Sequence, residues 1–283
     1  MAALAPGGCA HAQRAPEAAP GGNDSPRAFQ TGASGHLLLL GANMLVSAFT
    51  SGALSWHRGG SFSAAFGKGA LGGATVYAGK ALVVKQGSAA PFLGRQLAAV
   101  GASAVRNAGA GEPLLADVSL PLGPIHVHVG PRPRGTAPVS IDVLGVATLA
   151  AAFLSYDARM DWQASLAAAA PVLVVSDPED RLPWNGRHVG GNLLLRDVRG
   201  SHRPFTPATT LAHERVHLLE YDQMALLWSE PMERALLERW RWTRRVQPYV
   251  DLGFNGGINA ALRFLPEHVN PIEIEARFLA GTR

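Results

Sequence analysis

The chain has 283 residues, of which 47% are hydrophobic and 16% charged, a composition that excludes a solvated disordered chain and is long enough to bury a sizeable core. Cys9 is the only cysteine, which excludes an internal disulfide framework and a multi-cysteine metal site. The net charge of +4 hides an asymmetry: residues 25–111 contain no acid but seven Lys and Arg, spread among Ala, Gly and Leu, a pattern that favours proximity to anionic lipid over nucleic acid.

Residues 1–35, rich in Ala, Pro, Gly and Ser, read as a flexible leader. Within them Ala10-His11-Ala12 has the form of a signal-peptidase site, though without the basic and apolar regions that precede one. This fits export to a bacterial-type cell envelope, with a cytoplasmic location left open. Residues 37–56 are uncharged over the length that crosses a bilayer core of roughly 30 Å, diluted by Asn43, Ser47, Thr50, Ser51 and Ser55. Gly69 and Gly73 follow, four apart, a spacing that lets two helices approach closely. Lys68 and Lys80 interrupt that second segment, and residues 92–108 read as a third helix. Region 36–110 is thus Gly/Ala-rich and helical, either membrane-associated through 37–87 or a buried helical hairpin.

After Gly109 the texture changes. Residues 116–129 alternate as paired strands broken at Gly123-Pro124, and 139–149, 162–175 and 188–195 are further strand candidates. Turns fall at 177–180 and 183–186. His126 and His128 share one strand face, a metal pair or a solvated side. His188 is packed or exposed. A helical period starts at Pro207, with Thr209 or Thr210 as cap, and another helix covers 229–245, which either lies on a membrane surface or, the preferred reading, has its tryptophans in the core and its arginines solvated. Residues 247–268 form a Gly-rich loop with a short helical piece.

The sharpest signal is His213-Glu214-Arg215-Val216-His217, an H-E-x-x-H. One turn of helix puts both imidazoles on one face, able to hold one metal ion, while Glu214 reaches the water that such an ion carries. With ten His and eleven Glu in the chain, roughly 0.014 such matches arise by accident. A catalytic zinc needs a third protein ligand and a vacant corner. Downstream, Asn270 and Pro271 open a helix whose first turns carry Glu273 and Glu275. Glu220 and Asp222 are candidates to orient an imidazole, and Tyr221, Tyr249 and His268 to donate to an oxyanion. No Walker A run, G-x-S-x-G or dinucleotide fingerprint is present.

HERVH followed by a helix reading NPIEIEA resembles the gluzincin branch of the zincin metallopeptidases, over residues 187–283. The resemblance implies that His213 and His217 bind Zn2+, that Glu214 is the general base, and that Glu273, or else Glu275, is the third ligand. Such families often place Asp or Asn four residues after the ligand glutamate; here Arg277 and Leu279 stand there.

The expected fold is α+β, with a Gly/Ala-rich helical N-terminal region over 36–110 and a zincin-like domain over 111–283. That domain has a small, mostly antiparallel sheet in 111–200 and metal-binding helices in 207–283. A strand around His188 to Asp197 is the candidate edge for an extended peptide. The expected function is zinc-dependent hydrolysis of a peptide or protein substrate, with no nucleic-acid partner. Two alternatives stand beside it: a catalytically silent zinc-binding envelope protein, and a membrane-associated structural or interaction protein. An intramembrane protease fits less well, because Glu220, Asp222 and Glu230 flank the HERVH helix.

Overall fold

The structure, a computed structural model, describes residues 32–85, 87, 89–131, 137–156, 158–176, 185–197, 207–224, 227, 243, 249–252 and 269–281. The leader up to residue 31, nearly all of 229–245, and 253–268 lie outside the described residues. Helices and small sheets are mixed, compatible with the α+β expectation.

Three long helices come first: α1 (Ala33–His57), α2 (Phe62–Val83) and α3 (Ala89–Gly109). Ser61 starts α2 by accepting a hydrogen bond from the Ala64 N–H at 3.3 Å. Helix α2 packs against both its neighbours, and glycine makes this possible. A Cβ on Gly69 would lie 2.7 Å from the Ser47 carbonyl oxygen of α1, and one on Gly73 would lie 2.8 Å from the Met44 Cα. On the other side, a Cβ on Gly72 would lie 2.9 Å from the Gly101 carbonyl oxygen of α3. Neither crossing tolerates a side chain, so the backbones themselves meet.

Helix α1 is built inside out. Asn43, Ser47, Ser51 and Ser55 are buried, and Ser51 Oγ donates to the Ala65 carbonyl of α2 at 2.9 Å. Leu38, Leu45, Val46, Phe49 and Trp56 are 55–72% exposed on the opposite side. A surface helix of a water-soluble domain shows the reverse pattern. Among the described residues, α1 is the one helix long and apolar enough to cross a membrane.

Two four-stranded sheets follow. The first has the order β1 (Val118–Leu122), β2 (Ile125–Val129), β3 (Val139–Asp142), β8 (Val250–Asp251), antiparallel except for the β3–β8 pair. Gly123, at φ 66°, turns β1 into β2. The second has the order β4 (Arg159–Met160), β5 (Val172–Val175), β7 (Asn192–Arg196), β6 (Gly186–Val189), antiparallel except for β5–β7.

Three strand expectations need correction. In 139–149 the strand ends at Asp142, which caps helix α4 (Val143–Ser155) by accepting from the Gly145 N–H at 2.9 Å. In 162–175 Asp161 caps helix α5 (Trp162–Ala168) in the same way, and only 172–175 is strand. The Ala-rich runs after those two caps satisfy helix propensity, and the aspartates decide where the helices begin. The segment around His188 to Asp197 is two strands turning at Gly190 and Gly191, both at positive φ; β6 is the edge and β7 is interior. Strand β8 falls in a segment expected to be loop.

Helix α6 (Pro207–Met224) is central. Its Val216 and Leu219 pack on Val83, Ala98 and Ala276, and its Leu218 on Ala168, Val172 and Leu193. Helix α7 (Pro271–Ala280) lies against it.

Candidate metal centre

Pro207 is the first residue of α6, so Thr209 and Thr210 lie inside its first turn rather than capping it. His213 and His217 stand one turn apart on the face toward α7. Asn270 caps α7 by accepting from the Ile272 N–H at 3.1 Å, and Pro271 occupies the first helical position. This start fixes where Glu273 points.

His213 Nε2 lies 3.0 Å from His217 Nε2. Glu273 Oε2 is 3.2 Å from His217 Nε2, and its Oε1 is 3.4 Å from His213 Nε2. Tetrahedral coordination with bonds of about 2.0–2.1 Å sets ligand atoms ~3.3 Å apart. Glu273 meets the two imidazoles through different oxygens, at separations close to that value, and the three groups are the residues able to hold a metal ion together among those described. Their side chains are 11–18% exposed.

Glu275, the alternative third ligand, is not in this cluster. Two residues on a helix are about 200° apart. Glu275 points the other way, accepting from Asn43 Nδ2 at 2.8 Å and from Lys80 Nζ at 2.8 Å. Glu220 Oε2 takes the His217 Nδ1–H at 2.9 Å, which turns Nε2 toward the cluster. Arg277 Nε donates to Glu273 Oε1 at 2.8 Å, so a cation grips the carboxylate from four residues on. Glu214 is buried and forms no hydrogen bond among the described residues. Strand β6 presses against it: a Cβ on Gly186 would lie 2.9 Å from Glu214 Cγ. The His188 ring, also on β6, sits 5.7 Å from the His217 ring, centroid to centroid.

Electrostatics follow from these contacts. Burial alone would lower the His217 pKa, but hydrogen bonds to Glu220 and Glu273 and the nearby Glu214 charge outweigh it and raise it to about 10. Burial alone would raise Glu273, yet the two imidazoles hold it well below the usual carboxylate range. Burial pushes Glu220 up, opposed by His217 and Lys80.

The remaining expected residues lie elsewhere. Asp222 forms a two-pronged ion pair with Arg95, at 2.8 and 3.0 Å, and does not orient an imidazole. The Tyr221 hydroxyl donates to Asp142 Oδ2 at 3.3 Å, and Tyr249 is exposed. His268 lies outside the described residues. His126 and His128 form no metal pair: the first is buried against Ser119, and the second bonds Ser140 Oγ at 3.0 Å. Sequence reasoning missed Gly186, whose signal is only an absent side chain, and Asn43 and Lys80 as neighbours of the centre, for which no local signal exists.

Compared with known proteins, the chain matches no family model, no curated protein and no solved structure.

Proposed function

We propose that the chain is a zinc-dependent metallopeptidase of gluzincin type. The observation that carries this reading is the convergence of His213, His217 and Glu273, with ring nitrogens and carboxylate oxygens 3.0–3.4 Å apart. Two imidazole nitrogens and a carboxylate oxygen are a donor set of catalytic zinc sites. Held by His213, His217 and Glu273, a zinc ion would supply Lewis acidity to the scissile carbonyl and would lower the pKa of its water to about 7. Glu214, buried and unbonded among the described residues, takes the proton of the attacking water and hands it to the departing amine as the C–N bond breaks. Strand β6 is an edge of its sheet among the described residues and supplies backbone groups for an extended peptide. Glu214→Gln should retain one zinc per chain and lose at least ~100-fold in hydrolysis of a peptide library. Unchanged turnover overturns the proposal.

A second reading has its own observation, the outward apolar face of α1. In it the chain is a membrane-associated structural protein of the cell envelope, and a metal merely pins α6 to α7. One zinc per chain with no cleavage of the library by the parent protein selects this reading.

A further inference from the structure

Lys80 lies on α2, yet it is buried (3% exposed) between two carboxylates from the metal-side helices. Its Nζ donates to Glu275 Oε2 at 2.8 Å and stands 3.9 Å from Glu220 Oε1. Asn43 of α1 closes a ring: its Oδ1 accepts from Lys80 at 3.3 Å and its Nδ2 donates to Glu275 Oε1 at 2.8 Å. Each carboxylate leads to the centre. Glu220 holds His217 Nδ1, and Glu275 sits two residues from Glu273 on α7.

We propose that Lys80 is a positioning residue that sets the distance between the histidine pair on α6 and the glutamate on α7. One ammonium attracts the carboxylate that aims His217 and the carboxylate that fixes the rotation of α7. Without it, Glu220 and Glu275 are two like charges in a buried space, and the helices that carry them move apart. The Glu220 Oε1 atom has no hydrogen-bond partner of its own, and the Lys80 ammonium stands 3.9 Å from it. The Asn43 ring keeps the ammonium from swinging to either side. In this arrangement the N-terminal helices are part of the metal centre and not a detachable anchor.

This inference rests on the metal reading of the cluster, and the experiment separates the two. Co2+ is titrated into the metal-free full-length chain, with binding read by competition with a chelator and geometry by the visible d–d absorption. The parent chain should bind one Co2+ with a four-coordinate spectrum; no binding removes the metal reading and this inference with it. Lys80→Met should bind Co2+ 10–100-fold more weakly, the range seen when outer partners of metal ligands are removed. Its d–d spectrum should shift, a change that a purely structural role would not produce. Should the single variant fail to fold, Lys80→Met combined with Glu275→Met replaces the pair by apolar groups of similar size, a change that often leaves stability intact. A folded variant of either kind with parental affinity and spectrum overturns the proposal while leaving the metal reading standing.

Discussion

The α1–α3 layer and the α6–α7 pair are held together by opposite means. In the layer, glycine on α2 lets backbones touch, and on α1 serines and an asparagine lie inside while leucine, valine and phenylalanine lie outside. In the pair, Val216, Leu218, Leu219 and Ala276 lie inside, and the charges are buried in matched groups. The first is the logic of helices in lipid, where apolar packing has no water to escape. The second is the logic of a water-soluble core. What joins them is an apolar contact of Val83 and Ala98 with Val216 and Leu219, flanked by charge: Lys80 and Arg95 reach from the layer into carboxylates beyond it.

Breaking that seam should have the largest effect on stability. Arg95→Met leaves Asp222 buried without its partner and should cost about 3–5 kcal/mol, read as a fall in the urea midpoint. Replacing both residues by apolar ones should recover most of the loss. Asp142 sharpens the contrast, because it is a buried carboxylate held by neutral donors. Burial, only partly offset by the Gly145 N–H and the Tyr221 hydroxyl, pushes its pKa from the ordinary 3.8 to about 6. A carboxyl group with a raised folded-state pKa contributes stability that is full below about pH 3.8 and is lost as pH rises through 6. Asp142→Asn does not titrate, so between pH 4 and 7 it should gain about 2 kcal/mol relative to the parent. A difference that stays flat across that range contradicts the assignment. The smallest stability effect belongs to the outer face of α1. Leu45→Ser with Val46→Ser should change stability by less than ~0.5 kcal/mol. The same pair should abolish flotation with anionic phospholipid vesicles, and unchanged flotation argues against a lipid-facing α1.

Local signals in the sequence predicted local structure well. The four-residue spacing of His213 and His217, and the Asn270-Pro271 start of α7, place side chains through helix geometry alone. The choice between Glu273 and Glu275 is not local. It depends on what faces each side of α7, and Lys80 and Asn43 stand 195 and 232 residues away from Glu275 in the chain. The runs at 139–149 and 162–175 were misleading because apolar content without strict alternation fits helix and strand alike. The caps Asp142 and Asp161 carried the answer. His126 and His128 share a β2 face, but there the first meets Ser119 and the second Ser140 and Asp117, and among the described residues they join no cluster of three metal-ligating groups.

The long span between Lys80 and Glu275 also sets a timetable for biosynthesis. Helices α1 to α3 can pack as soon as they leave the ribosome, since their contacts are between near neighbours in the chain. Their ammonium waits for the 195 residues up to Glu275. At translation speeds of about 5–20 residues per second that is roughly 10–40 s. Glu273 emerges within the same moment, so a nascent chain holds both histidines for seconds before it can complete the cluster.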